Sequence, residues 1–194
     1  MKRFFYIQLY KSIKIKKMKK LIILFATILF VGCQQPMDTD VIGIVKSSDE
    51  KTQIILSDLE NYLAYGTDQY DAELPANLVT MDLAGNFADQ SVDYEAFLAV
   101  AEQHHSLFDN IQMGLPGGDG IGGLQTVYYD ELGTWSHYWG QWSGTGKFTG
   151  NEVTQFIHLN WGWNEDGKVN FFNANFDAGF FRDEIAAASA SGSE

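Results

Sequence analysis

From Phe108 onward, apolar and polar residues alternate with a period of two, and segments rich in glycine or turn-forming residues divide this stretch into blocks. Such alternation is typical of strands, whose successive side chains point to opposite faces of a sheet. The Asp166-Gly167 pair before the last block is typical of a tight turn between antiparallel strands. The alternation therefore predicts five strands, at residues 108–113, 124–130, 134–147, 152–163 and 168–176.

The segment before these strands has the spacing of amphipathic helices. A helix is predicted at residues 48–65, where Ser47 and Glu50 have the spacing of a capping box. Further helices are predicted at residues 93–105 and 177–188. Helices followed by a run of strands are typical of α+β folds. Because the strands are long and contain glycines, we expect a strongly bent antiparallel sheet, with helices on one side, that forms a cone with a ligand pocket at its mouth.

The first 32 residues differ sharply in charge from the rest of the chain. They carry eight basic and no acidic side chains, whereas five basic and 25 acidic side chains follow them. A twelve-residue apolar run, LIILFATILFVG, follows Met18-Lys19-Lys20 and is too short to span a membrane. This pattern predicts a signal peptide over residues 1–32, with Met18 as the expected start. The acidic remainder repels phosphate backbones, so nucleic acid is not an expected partner.

Cys33, which follows that run directly, is the only cysteine of the chain. The segment Phe30-Val31-Gly32-Cys33 resembles the lipobox of bacterial lipoproteins, although Phe30 stands where Leu is usual. The resemblance implies lipidation of Cys33, a tether over residues 33–46, and membrane attachment in the bacterial cell envelope. Gln34 after the cysteine favours the outer membrane, on its periplasmic or its outer side. An incidental cysteine at the end of a transmembrane anchor is the alternative.

Two stretches of the strand region, WSHYWGQWSGTGKFTG and VTQFIHLNWGWNEDGKVNFFNANFD, resemble the closing strands of SnoaL-like proteins. The preceding stretch FLAVAEQHHSLFDNI resembles the helix that leads into them. These proteins belong to the nuclear transport factor 2-like (NTF2-like) superfamily, which contains isomerases, cyclases and dehydratases as well as non-catalytic binding and dimerisation modules. The resemblance implies an NTF2-like cone over residues 47–188, followed by a disordered tail at 189–194. It does not fix the function.

Asp177 and His158 are the candidate catalytic residues. In SnoaL-like cyclases, an acidic residue where the last strand ends is the general base, and the resemblance assigns that place to Asp177. The alternative for Asp177 is the cap of the closing helix. His158 titrates near neutral pH and could act as acid or base if it faces the pocket. If the more apolar face of its strand lines the cone instead, His158 faces outward.

Four further residues are candidate ligand contacts, namely His105, His137, Trp139 and Trp161. His104 and His105 end a helix, and one of the two is expected to pack beneath the sheet. His137 alternates with Trp135 and Trp139 and is expected to point into the cone. The aromatic side chains suit a flat apolar ligand or a sugar ring, and the alternative is core packing together with a homodimer formed through the sheet face.

No metal site or cofactor is expected, because the histidines lack ligand spacing and the glycine-rich segment at 114–123 lacks the GK[ST] of a phosphate-binding loop. The leading prediction is a non-catalytic domain that binds a small apolar or ring-shaped molecule, or that serves as a dimerisation scaffold. The competing prediction is an isomerase, cyclase or dehydratase that uses Asp177 or a histidine as general acid or base.

Overall fold

The computed structural model describes residues 42–115 and 122–192; the proposed signal peptide and Cys33 lie outside these ranges. The helices in the described part are α1 (Glu50–Leu63), α2 (Glu73–Leu78), α3 (Tyr94–Leu107) and α4 (Gly179–Ser191). The strands are β1 (Gly43–Lys46), β2 (Val79–Phe87), β3 (Gln90–Val92), β4 (Phe108–Met113), β5 (Gly122–Tyr129), β6 (Gly133–Gly146), β7 (Glu152–Trp163) and β8 (Val169–Asn175). None of the described helices is long and apolar enough to span a membrane.

The eight strands form one sheet in the order β1-β5-β6-β7-β8-β2-β3, with β4 also paired to β6. Neighbouring strands are antiparallel except β2 and β8, which run parallel. The predicted α+β class with helices on a bent sheet is confirmed, but the sheet is mixed rather than purely antiparallel. A parallel pair needs a long crossover connection, and the chain between β2 and β8 supplies one.

Strand β6 changes its partner halfway along its length. Its first half pairs with β5, ending at Gly122 opposite Gly140, and its second half pairs with β4, beginning at Met113 opposite Trp142. A side chain at Gly140 would have its Cβ atom 2.0 Å from the Tyr138 hydroxyl. Glycine is therefore required where the sheet bends and the edge of β6 passes from one neighbour to the other.

The helices cover the concave face of the bent sheet. Asp49 caps α1 by accepting a hydrogen bond from Thr52 N at 3.3 Å, and Asp93 caps α3 by accepting one from Ala96 N at 2.9 Å. Both are side-chain caps of the first helical turn. The core lies between these helices and the sheet and contains Ile55, Leu59, Phe97, Tyr138, Leu159, Trp161 and Phe172.

Several boundaries differ from the sequence predictions. Asp49 caps α1, although Ser47 was the expected cap. Residues 43–46, predicted to be tether, form β1 and pair with β5. Helix α4 continues to Ser191, past the predicted end at residue 188. A four-residue edge strand is too short to show a period, and the alanine- and serine-rich end of α4 carries no stop signal before Gly192.

Candidate functional site

A cavity of about 100 Å³ lies between helices α1, α3 and α4 and the concave face of the sheet. Its lining is mostly apolar and aromatic. Leu159 and Trp161 of β7 contribute from the sheet, together with Phe172 of β8, while Ala101 of α3 and Phe181 of α4 contribute from the helices. A concave, mostly apolar cavity with few polar groups is the usual form of a small-molecule site.

Three polar side chains that line the cavity form a hydrogen-bond chain. Trp142 donates from Nε1 to the Tyr62 hydroxyl oxygen at 3.0 Å. The Tyr62 hydroxyl lies 2.8 Å from His104 Nδ1. An indole can only donate, so the Tyr62 hydroxyl accepts from Trp142. The direction of the hydrogen bond between Tyr62 and His104 follows the tautomer of the imidazole.

Burial keeps this chain uncharged at neutral pH. Desolvation, together with the neighbouring His105, lowers the pKa of His104 to about 3. Desolvation also raises the pKa of Tyr62, against a smaller opposing effect of the Trp142 hydrogen bond. The imidazole is therefore neutral and the phenol protonated across the physiological range.

Asp58 is a titratable residue on the face of α1 that also carries Tyr62. It lies one helical turn before Tyr62, and residues four positions apart are neighbours on a helix surface. Asp58 is half-buried and lines the cavity. Desolvation by its apolar surroundings raises its pKa to about 7. A carboxyl with such a pKa can exchange a proton near neutral pH.

The structure places Asp177 outside the cavity. Its side chain is 81 % exposed, and its Oδ1 accepts a hydrogen bond from Gly179 N at 2.9 Å. Arg182 lies 4.0 Å from the same oxygen. Asp177 directly precedes the N-cap residue of α4, Ala178, and its carboxylate accepts a hydrogen bond from the first residue of the helix.

His158, Trp139 and His137 lie on the other face of the sheet. Ile157 and Leu159 of β7 line the cavity, so His158 between them points away from it. The rings of Trp139 and His158 stack at 4.6 Å, and those of His137 and Trp139 stack at 5.2 Å. The expectation that His137 points into the cone is wrong, because its strand presents Tyr138 and Trp142 to the inner side.

His105 also lies outside the cavity lining. Its Nε2 lies 3.0 Å from Tyr62 O, and its ring packs against the rings of Tyr62 and Tyr65. Among the candidates named from the sequence, Trp161 is the residue that the structure brings to the cavity, where it is 1 % exposed.

The sequence predictions did not identify the polar residues of the site as a group. These residues are Asp58, Tyr62, His104 and Trp142. For Asp58, a signal was present in the sequence. Asp58 interrupts the apolar stripe of α1, falling between Ile55 and Tyr62 at helical spacing. An acid on a buried helical face is uncommon unless it has a partner or a function.

No metal cluster is evident in the part of the chain that the structure describes: no group of three or more histidine, cysteine or acidic side chains is placed to hold an ion.

No family model and no curated protein matches the chain. Solved structures similar to it include one assigned to the SnoaL-like polyketide cyclases from Jannaschia sp. CCS1, with 15% identity, a TM-score of 0.49 and coverage of 68% of this chain and 90% of that one. An NTF2-like protein from Burkholderia thailandensis has 15% identity and a TM-score of 0.48, covering 71% and 98% of the two chains. A steroid delta-isomerase from Pseudomonas aeruginosa has 11% identity and a TM-score of 0.44, covering 74% and 94%.

Two of these three structures carry the SnoaL-like or NTF2-like name that the sequence indicated. No activity follows from likeness at this level of identity.

Proposed function

We propose that this domain binds a small, uncharged, apolar or ring-shaped ligand in the cavity beneath the sheet, without chemical conversion. The supporting observation is the cavity itself, whose volume is about 100 Å³ and whose walls are mostly aromatic and aliphatic. A dry apolar cavity of about 150 Å³ in another protein binds benzene. The present cavity is smaller but partly open, so it suits at most a single small ring, and transfer of that ring from water supplies the driving force.

A cavity-filling substitution tests this function. The full chain is screened against small cyclic compounds by native mass spectrometry and thermal shift. Ala101→Phe places a ring in the cavity from α3, where Ala101 is 8% exposed. Trp139→Ala, on the other face of the sheet, is the matched control.

We expect ligands to be retained by the wild type and the control and lost in Ala101→Phe, with circular dichroism confirming that all three are folded. Equal retention in all three variants, or no ligand for the wild type, would contradict the proposal.

A second candidate function is proton transfer next to a carbonyl, as in an isomerase, cyclase or dehydratase. Asp58 favours it, because this carboxyl lines the cavity and desolvation raises its pKa to about 7. The ionised carboxylate would accept a proton from the carbon next to the carbonyl. The electron pair of that C–H bond would form a C=C bond, and the π pair of the C=O bond would move to the oxygen to give an enolate. Asp58 takes the role for which Asp177 and His158 were the sequence candidates.

Hydrogen exchange of a simple ketone separates catalysis from binding. The α-protons of cyclohexanone in D₂O are followed by NMR with the full chain. If the domain is an enzyme, exchange is accelerated by the wild type and by Asp177→Asn, and is not accelerated by Asp58→Asn. Exchange at the buffer rate with the wild type would leave binding as the function.

We also propose that the protein is a lipoprotein anchored through Cys33 in the bacterial cell envelope. The support is the sequence pattern before Cys33, since that residue lies outside the described ranges. Acyl chains contribute about 0.8 kcal/mol per buried CH₂, so several chains together anchor stably. Growth with an alkyne-tagged fatty acid should label the wild type and Gln34→Ala but not Cys33→Ala. Labelling of Cys33→Ala, or no labelling of the wild type, would contradict this.

A further inference from the structure

Trp161 carries a buried donor with no partner. The side chain is 1 % exposed and lines the cavity, and its Nε1 makes no hydrogen bond within the described residues. An indole N–H can donate but cannot accept. Leaving such a group buried and unpaired costs free energy, so native structures rarely do so without a reason.

Other indoles of the sheet are paired. Trp142 donates to the Tyr62 hydroxyl, and Trp163 donates to Ser136 Oγ at 2.8 Å. Trp135 donates to Leu132 O at 2.9 Å. The fold therefore supplies acceptors to the tryptophans beside Trp161 and supplies none to Trp161, whose ring borders the cavity.

Two other polar side chains that line the cavity have hydrogen-bond partners. His104 Nδ1 lies 2.8 Å from the Tyr62 hydroxyl. The amide of Asn61, which also borders the cavity, is paired in both directions with the backbone of Asp71. Among the described residues, three side-chain nitrogens are buried without a partner, and Trp161 Nε1 is the one whose residue lines the cavity; the other two, His137 Nε2 and His158 Nε2, belong to the other face of the sheet.

We propose that the cavity selects small rings that bear a hydrogen-bond acceptor oxygen, such as a ketone or cyclic ether, and that Trp161 Nε1 is the donor that recognises this oxygen. The inference rests on the proposed ligand-binding function and adds the chemical class of the ligand. The oxygen of such a ring satisfies the indole while the ring carbons fill the apolar space. A hydrocarbon of the same shape fills the space and leaves the indole unpaired.

Cyclohexanone and methylenecyclohexane form a matched pair, because a C=O in one replaces a C=CH₂ in the other. The dissociation constants of both are measured with the full-length wild type, with Trp161→Phe and with the control Trp139→Phe on the other face of the sheet. The two ligands differ in hydration, but this difference cancels when the ratio of their dissociation constants is compared between variants.

We expect Trp161→Phe to shift that ratio against the ketone by about fivefold or more, the usual net value of one hydrogen bond, while Trp139→Phe leaves it unchanged. If both ligands bind and Trp161→Phe leaves the ratio unchanged, the inference is overturned and the proposed binding function stands. If neither ligand binds the wild type, both fail.

A second measurement avoids dependence on the folding of Trp161→Phe. The Trp161 indole N–H resonance of the wild type, assigned from Trp→Phe variants at the other four tryptophans, is followed during both titrations. A hydrogen bond to the ketone moves this proton downfield, and the hydrocarbon produces no such shift. Equal shifts with both ligands would overturn the inference.

Discussion

Asp58 shows how a single residue departs from the pattern around it. Of its neighbours at helical spacing, Ile55 belongs to the core and Tyr62 lines the cavity, and the carboxyl lies between them half-buried. Desolvation raises its pKa to about 7. The folded state therefore binds the Asp58 proton more tightly than the unfolded state does, and the contribution of this residue to stability falls as the pH rises from about 4 to about 7.

Replacement of Asp58 by asparagine removes this penalty. We expect Asp58→Asn to gain stability relative to the wild type as the pH rises, with the advantage growing by about 1–3 kcal/mol between pH 5 and pH 8. Urea unfolding of both proteins at the two pH values measures it, and Asp177→Asn on the exposed side of the fold serves as the control. An advantage that does not depend on pH would show that Asp58 is not desolvated.

Among the elements, α1 is held to the sheet by a directed chain of buried polar groups. Trp163 donates to Ser136, the hydroxyls of Ser136 and Thr126 lie 2.8 Å apart, and those of Thr126 and Thr52 lie 2.9 Å apart. Thr52 donates in turn to Asp49 Oδ1 at 2.5 Å, the carboxylate that also caps α1. Because the indole can only donate and the carboxylate only accept, every hydroxyl between them has a fixed direction.

Thr126→Val breaks this chain in the middle while keeping the shape of the side chain. Ser136 and Thr52 each lose a partner in a buried place, so we expect a loss of about 1–3 kcal/mol in the free energy of unfolding. Thr154→Val, at an exposed position of β7, is the matched control and should cost far less. Equal effects in the two variants would contradict the role of the chain.

The elements also show which features the sequence could predict. Strands β4 and β7 were predicted at their observed bounds, because a long run with a period of two identifies a strand without tertiary information. The short strands β1 and β3 and the parallel pairing of β2 with β8 depend on what lies beside them. Such pairing has no local signal.

The site residues also differ in whether the local sequence indicates their position. Trp161 was among the candidates because it lies on the more apolar face of β7, one of the two faces that the sequence left open as the lining of the cone. The sequence could not favour His104 over its neighbour His105. Which of two adjacent residues at a helix end faces the sheet depends on how that helix is rotated about its axis, and the sequence does not show this rotation. The structure turns His104 inward and His105 toward Tyr65.

At the scale of the whole molecule, the outer face of the sheet is aromatic and open. Phe156 is 63% exposed and Trp139 is 44% exposed, beside the stacked rings of His137 and His158. Exposed aromatic patches of this kind mark interaction surfaces. A homodimer through this face, one of the alternatives that the sequence left open, would cover both residues.

Phe156→Glu tests that dimer. A carboxylate buried in such an interface would be desolvated without a partner, so we expect the dimer fraction to fall sharply. Size-exclusion chromatography with light scattering measures it over a range of protein concentrations, and Asp177→Asn is the control. A wild type that is monomeric at all concentrations would contradict the dimer and leave the cavity unaffected.

The central claim is that the cavity beneath the sheet holds a ring-shaped ligand. Crystals of the full chain soaked with bromobenzene test it most directly, because the anomalous signal of bromine locates the ring without bias from the protein. We expect one strong peak inside the cavity, between Trp161, Phe172 and His104, and no such peak in Ala101→Phe. A peak only on the outer face beside Trp139 and Phe156, or no peak at all, would contradict the claim.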